Sequence, residues 1–225
     1  MVETLHRATS GEAAANDVFA RAFAEMPLVA VLRGIEPEAV PAVADALVDA
    51  GFRLLEVPLN SPRPFDSIAR LVECCPEGVV VGAGTVLLPN EVERLAATGA
   101  KLMVTPNTDP ATIEAGVAAG LVPMIGCMTP SEALTALRHG ARVLKMFPAA
   151  RLGPAYLKDV RAVLPKGTPV VTVGGIGLDN MESFHAAGAD GFGFGTNLYA
   201  PGRTAAEVGA IARDLVAELR RLKGQ

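Results

Sequence analysis

Apolar and polar positions along the chain repeat one phrase: an amphipathic helix, a glycine at its end, then a short aliphatic strand. DALVDAGFRLLEV, LAATGAKLMVT, GVAAGLVPMI, LRHGARVLKMF and FHAAGADGFGF all carry it. Gly51, Gly99, Gly120, Gly140 and Gly188 fall where a helix C′ residue takes positive φ, a conformation that costs glycine little. Gly78 and Gly167 stand just before two further aliphatic runs. The repeat length is that of one strand–helix unit of an alternating α/β fold.

The aliphatic runs predict strands at 28–32, 54–57, 79–83, 101–105, 121–125, 142–147, 169–173 and 191–195. Between the first two, Val40, Val43, Ala44, Leu47 and Val48 follow the helical period, with Pro41 leaving the start of that helix open. Eight units in 225 residues predict an α/β fold closed as a (β/α)8 TIM barrel rather than an open doubly wound sheet. The barrel is assigned to residues 26–225. Residues 1–25 are read as a helical extension, with an amphipathic helix over 11–24.

One position breaks the pattern. Lys145 interrupts the apolar run RVLKMF, although lysine is almost never fully buried unless something pairs with it or uses it. Strand alternation places Lys145 in phase with Val143 and Phe147 toward the barrel axis, and Leu144 and Met146 toward the helices. By the same rule Glu56 shares the inward phase with Leu54 and Pro58. Further polar groups end other strands: Arg33 after the first, Thr85 in GAGT, and Thr105 to Thr108 in TPNT. In a barrel these C-terminal strand ends form the working face. A buried structural Lys–Glu pair is the alternative reading, but desolvation makes such pairs weak stabilisers.

The glycine clusters GGIG at 174–177 and GFGTN at 193–197 follow the last two strands, where barrels often hold phosphate. Glycine lets backbone N–H groups approach an anion, and a following helix N-terminus would add a favourable dipole.

Composition narrows the chemistry. The chain is 50% hydrophobic and 4% aromatic, so aliphatic side chains must fill its core. A net charge of −4 gives no footprint for nucleic acid or an anionic membrane, and no run is long enough to span a bilayer. Glu3, His6, Arg7, Glu12 and Asp17 leave no apolar segment for a signal peptide. Cys74, Cys75 and Cys127 read as reduced thiols of a cytoplasmic protein. His6, His139 and His185 are scattered, so no metal site is expected. Dinucleotide, P-loop and nucleophile-elbow motifs are absent, and no cofactor is expected.

What remains is amine chemistry. Burial disfavours the charged form of lysine and frees a nucleophile for a ketone. The resulting imine acts as an electron sink that lets a neighbouring C–C bond break, given a base for a hydroxyl proton. Glu56 is the one strongly basic inward candidate.

The segments AVLRG, EVPLNSP, GAGTVL, VTPN, LKMFPA, VGGI and GTNLY occur in order on successive strands. With them, the chain from about Pro27 to Leu219 resembles the class I aldolases of 2-keto-3-deoxy-6-phospho sugar acids. The resemblance implies Lys145 as the Schiff-base lysine and Glu56 as the general acid/base. It further implies Arg33, Thr85, Gly174, Gly175, Gly195 and Thr196 as contacts to a phosphorylated keto sugar acid, and a homotrimer. The gluconate-type pattern, E-x-T-x-R-T on strand two and T-G-G-I on strand seven, is replaced here by EVPLNSP and Val173-Gly174-Gly175-Ile176. That departure is similar to the branch acting on 2-dehydro-3-deoxy-6-phosphogalactonate. It puts Asn60 where the other branch has arginine, leaving Arg33 as the principal cation, and makes Val173 the candidate specificity residue. Thr196 stands where family members often carry serine.

Overall fold

The computed structural model describes residues 10–224. Eight parallel strands close into a barrel in the order β1 to β8: Leu28–Val31, Leu54–Pro58, Val80–Gly84, Leu102–Val104, Val122–Cys127, Val143–Met146, Val170–Val173 and Gly191–Phe194. All eight predicted strands are present, with ends shifted by no more than two residues. Each is buried along its whole length, as expected of a parallel sheet covered on both faces.

The outer helices are α2 (Val40–Ala50), α3 (Pro64–Cys74), α4 (Pro89–Ala97), α5 (Pro110–Ala118), α6 (Pro130–Arg138), α7 (Ala149–Arg161), α8 (Met181–Ala186) and α9 (Ala205–Lys223). Proline opens α3 to α6, where its missing N–H is no loss and its fixed φ suits the first turn. Pro41 is accommodated in the same way: a short 3-10 turn at Pro37–Ala39 leads into α2, so the proline falls in the first turn. α2 ends on Gly51 at φ 111°, the left-handed cap that the glycine repeat predicts. α7 is broken at Gly153, φ 82°, followed by Pro154.

Alternation divides the core in two. Leu144 and Met146 join the layer between strands and helices. Val143 lies in the barrel interior with Val29, Leu54, Val80, Leu102, Val122, Met124, Val171 and Val173, and Phe147 packs against them. The inward phase read for Lys145 and Glu56 is therefore the observed one.

The interior cluster also takes in Ala15, Phe19 and Ala22 of α1 (Ser10–Glu25). This helix lies across the N-terminal end of the barrel, and a cavity of about 320 Å³ separates it from Arg142 and Pro169 at the starts of β6 and β7. The barrel is thus plugged at the end opposite its working face.

Candidate active site

β2 and β6 stand four strands apart around the ring, so inward side chains on them face each other across the interior. Glu56 on β2 is 1% exposed and Lys145 on β6 is 7% exposed. No ion pair joins them among the described residues, where all salt bridges involve other groups. Glu56 Oε2 is buried with no hydrogen-bond partner. A structural pair would close its own contact; these two groups face across the interior without one.

Burial sets their charge. It raises the Glu56 carboxyl from 4.5 to about 7, against the opposing pull of Lys145, Arg33 and the Gly84 backbone. It lowers the Lys145 amine below its ordinary value; attraction to Glu56 opposes this and the Arg33 charge adds to it. Both displacements favour the neutral forms, the direction desolvation dictates. The Lys145 ammonium, when present, lies 5.2 Å from the Phe147 ring centroid. A neutral amine and a carboxyl that titrates near neutrality can attack a carbonyl and exchange protons with what forms.

GAGT makes room for the carboxyl. A Cβ on Gly84 would overlap the Glu56 carboxylate, and one on Gly82 would overlap the Leu102 carbonyl. The next residue, Thr85, is half-buried and held at φ 56°, a left-handed conformation that is uncommon for a β-branched residue. Thr105, by contrast, is used up structurally. Its Oγ1 donates to the Asn107 carbonyl at 2.6 Å and accepts from Gly126 N at 3.0 Å. Gly126 allows this approach, because a Cβ there would overlap the Pro106 carbonyl.

Arg33, after β1, is exposed, but its charge reaches both Glu56 and Lys145. Its Nη1 donates to Asn60 Oδ1 at 2.7 Å, and the adjacent Gly34 N donates to Ser61 Oγ at 2.9 Å. Asn60 and Ser61 thus fasten the loop after β2 to the loop after β1. Sequence reasoning identified Asn60 only as a missing arginine; its amide is what holds the arginine that remains.

Val173 closes β7, is 8% exposed and sits in the interior cluster beside Val171. It packs into space left by Gly193, where a Cβ would come within 2.7 Å of Val173 Cγ2. Gly174 and Gly175 follow at φ 96° and 75°, and Gly195 and Thr196 follow β8. Gly175 and Thr196 line a cleft of about 500 Å³ together with Gly177, Asn197 and Arg203. Asn197 Nδ2 donates to the Ile176 carbonyl at 2.7 Å and ties the two loops together.

Of the helices that follow these loops, α8 has six residues, and Gly177 N ahead of it already donates to Asn180 Oδ1 at 3.0 Å; the longer α9 contributes Ile211 and Leu215 to the cleft. A cation, Arg203, lines the cleft as well. No sequence motif pointed to Arg203; only its position in the loop beyond β8 marks it.

His139 caps α6 and pairs with Glu114 at 2.7 Å, and His185 lies in α8. His6 is outside the described residues. No group of three or more His, Cys, Asp or Glu side chains forms a metal-binding cluster among the described residues. The three cysteines are free thiols. None of the described helices is long and apolar enough to cross a membrane.

Comparison with known proteins places this arrangement. A model of the family described as "Aldolase: KDPG and KHG aldolase" matches residues 20–211. A probable 2-dehydro-3-deoxy-6-phosphogalactonate aldolase of Rhizobium meliloti (strain 1021) is 47% identical over 184 residues, 82% of this chain and 87% of that protein. The 2-dehydro-3-deoxy-6-phosphogalactonate aldolase of Escherichia coli (strain K12) is 42% identical over 193 residues, 84% of this chain and 94% of that protein. A solved structure described as "Native KDPGal structure" superposes with a TM-score of 0.87 at 40% identity, over 89% of this chain and 98% of its own.

Proposed function

We propose that this chain, which belongs to the KDPG and KHG aldolase family, cleaves 2-dehydro-3-deoxy-6-phospho-D-galactonate to pyruvate and D-glyceraldehyde 3-phosphate. The observation that carries the reading is Lys145, an amine buried in an apolar barrel and opposed across it by a buried carboxyl, Glu56, whose Oε2 has no hydrogen-bond partner.

The Lys145 amine attacks C2 of the keto acid, and the carbinolamine loses water to give a protonated imine. Glu56 takes the C4 hydroxyl proton. The C3–C4 electron pair moves into the imine, releasing the aldehyde and leaving an enamine. Protonation at C3 and hydrolysis by water then free pyruvate and regenerate the amine. The Glu56 carboxyl, held near pH 7, suits a group that must take a proton in one step and return it in the next.

Arg33 binds the substrate carboxylate. That carboxylate adjoins the C2 atom attacked by Lys145, and Arg33 is the cation whose charge is felt at both Lys145 and Glu56. Thr85 faces the same end of the barrel. Gly174, Gly175, Gly195 and Thr196 hold the phosphate, whose binding orients the reacting carbons. Val173, apolar at the end of β7, favours the galacto over the gluco configuration at C4. The enzyme works in the cytoplasm as a homotrimer; exposed Leu87, Leu88 and Met128 at the rim supply apolar surface for a neighbouring copy.

The test is pyruvate release from the two C4 epimers, measured side by side. The galacto epimer should show the higher kcat/KM. A preference of about tenfold or more for the gluco epimer refutes the branch assignment while leaving the aldolase chemistry standing. Failure to cleave either epimer, with no pyruvate adduct after borohydride reduction, refutes the activity itself.

A further inference from the structure

The glycine loops after β7 and β8 give an anion backbone contacts but no charge of their own, and Arg33 is committed to the other end of the substrate. Of the residues lining the 500 Å³ cleft, Arg203 is the one cation. One edge of its guanidinium is fixed: Nη1 donates to the Leu198 carbonyl at 2.7 Å and to the Thr196 carbonyl at 3.2 Å. Among the described residues, Nε and Nη2 have no hydrogen-bond partner, so the other donors remain available. A guanidinium anchored along one edge loses little freedom on binding, and its fork matches phosphate oxygens.

Two carboxylates lie nearby. Glu207 is occupied by the α9 cap, accepting from Thr204 N at 2.8 Å and Thr204 Oγ1 at 2.6 Å. Asp179 shares the cleft but is exposed, where solvent screens it.

We propose that Arg203 is the phosphate-recognising cation of this aldolase: its Nη1 edge shapes the Thr196 turn, and its remaining donors bind the substrate phosphate. The inference rests on the aldolase activity proposed above. It divides the substrate between two arginines, Arg33 at the carboxylate and Arg203 at the phosphate.

The test compares Arg203→Gln, which removes the charge and stops two bonds short of the position from which Nη1 reaches the loop carbonyls, with Arg203→Lys, which keeps the charge and loses the fork. Cleavage of the phosphorylated substrate and of its dephosphorylated analogue is measured, with inorganic phosphate as inhibitor and borohydride trapping of pyruvate as control. Loss of a charged hydrogen bond predicts that Arg203→Gln raises KM for the phosphorylated substrate by about 10–100-fold. Phosphate inhibition should weaken in parallel, while kcat/KM for the dephosphorylated analogue and pyruvate trapping stay at wild-type levels. Arg203→Lys should recover part of the loss. Equal losses on both substrates, or a Gln variant better than the Lys variant, would show that Arg203 only props up the loop and would overturn the proposal. A wild-type enzyme that neither traps pyruvate nor cleaves the substrate would instead remove the activity on which it rests.

Discussion

Replacing Glu56 by glutamine tests the electrostatics of the site directly. The carboxyl moves from an ordinary 4.5 to about 7 on folding, chiefly through burial. At about 1.36 kcal/mol per pH unit, that displacement corresponds to about 3 kcal/mol. The sign follows from proton binding. Between pH 4.5 and 7 the folded state holds the proton and the unfolded state has released it, so stability falls as pH rises through this window. Below 4.5 both states are protonated, and above 7 neither is, so the penalty is constant at each end. Other carboxylates, Asp109 and Glu132 among them, are lowered by hydrogen bonds and lose stability as pH falls, which is the opposite sense. Lys145, lowered by burial, gains stability as pH rises from its folded value toward its ordinary one, a third dependence. The informative quantity is therefore the difference between wild type and Glu56→Gln, from urea denaturation at half-unit intervals from pH 4 to 8.5. The variant should gain on wild type by about 3 kcal/mol across that range, nearly all of it before pH 7.5. Cleavage by the variant should meanwhile fall by about 10²–10⁴-fold. A flat difference curve would show that the carboxyl is not held neutral by the fold, and near-normal cleavage would show that another group moves the protons.

Other expected outcomes follow from the same geometry. Lys145→Ala should lose cleavage and show no adduct after borohydride reduction with pyruvate, while wild type gains a pyruvate-derived mass on the peptide containing Lys145; an adduct on Lys101 or Lys158 would refute the assignment. Gly84→Ala drives a Cβ into the Glu56 carboxylate, so cleavage should drop at least tenfold and stability by about 1–3 kcal/mol; a variant matching wild type in both assays would show that the carboxyl has another place to go. Val173→Thr adds a hydroxyl at the end of β7, where one hydrogen bond of about 0.5–1.5 kcal/mol can shift the epimer ratio toward the gluco substrate by at most about tenfold; an unchanged ratio would move the specificity elsewhere.

Periodicity determined a great deal. The recurrence of helix, glycine and aliphatic run specified eight units and hence the barrel, because each unit buries its apolar face only by stacking against the next. Strand alternation set the inward phase of Lys145 and Glu56, since side-chain direction along a strand is a local property that neighbouring residues reveal. The nature of the relation between those two groups was not local. β2 and β6 meet only through barrel closure, and only closure decides that Lys145 and Glu56 face each other without an ion pair. Steric permission was equally hidden: nothing local to Gly84 tells that the Glu56 carboxylate lies where its Cβ would stand. The same holds for polar bookkeeping. Thr105 looked like a site hydroxyl until Asn107 and Gly126 claimed its donor and acceptor, and Arg203, which no motif singled out, gains its place only from the cleft beside it. A sequence prescribes which way a side chain points, because that depends on the next few residues. What it points at depends on chain segments brought together by closure, and the tertiary structure alone fixes that.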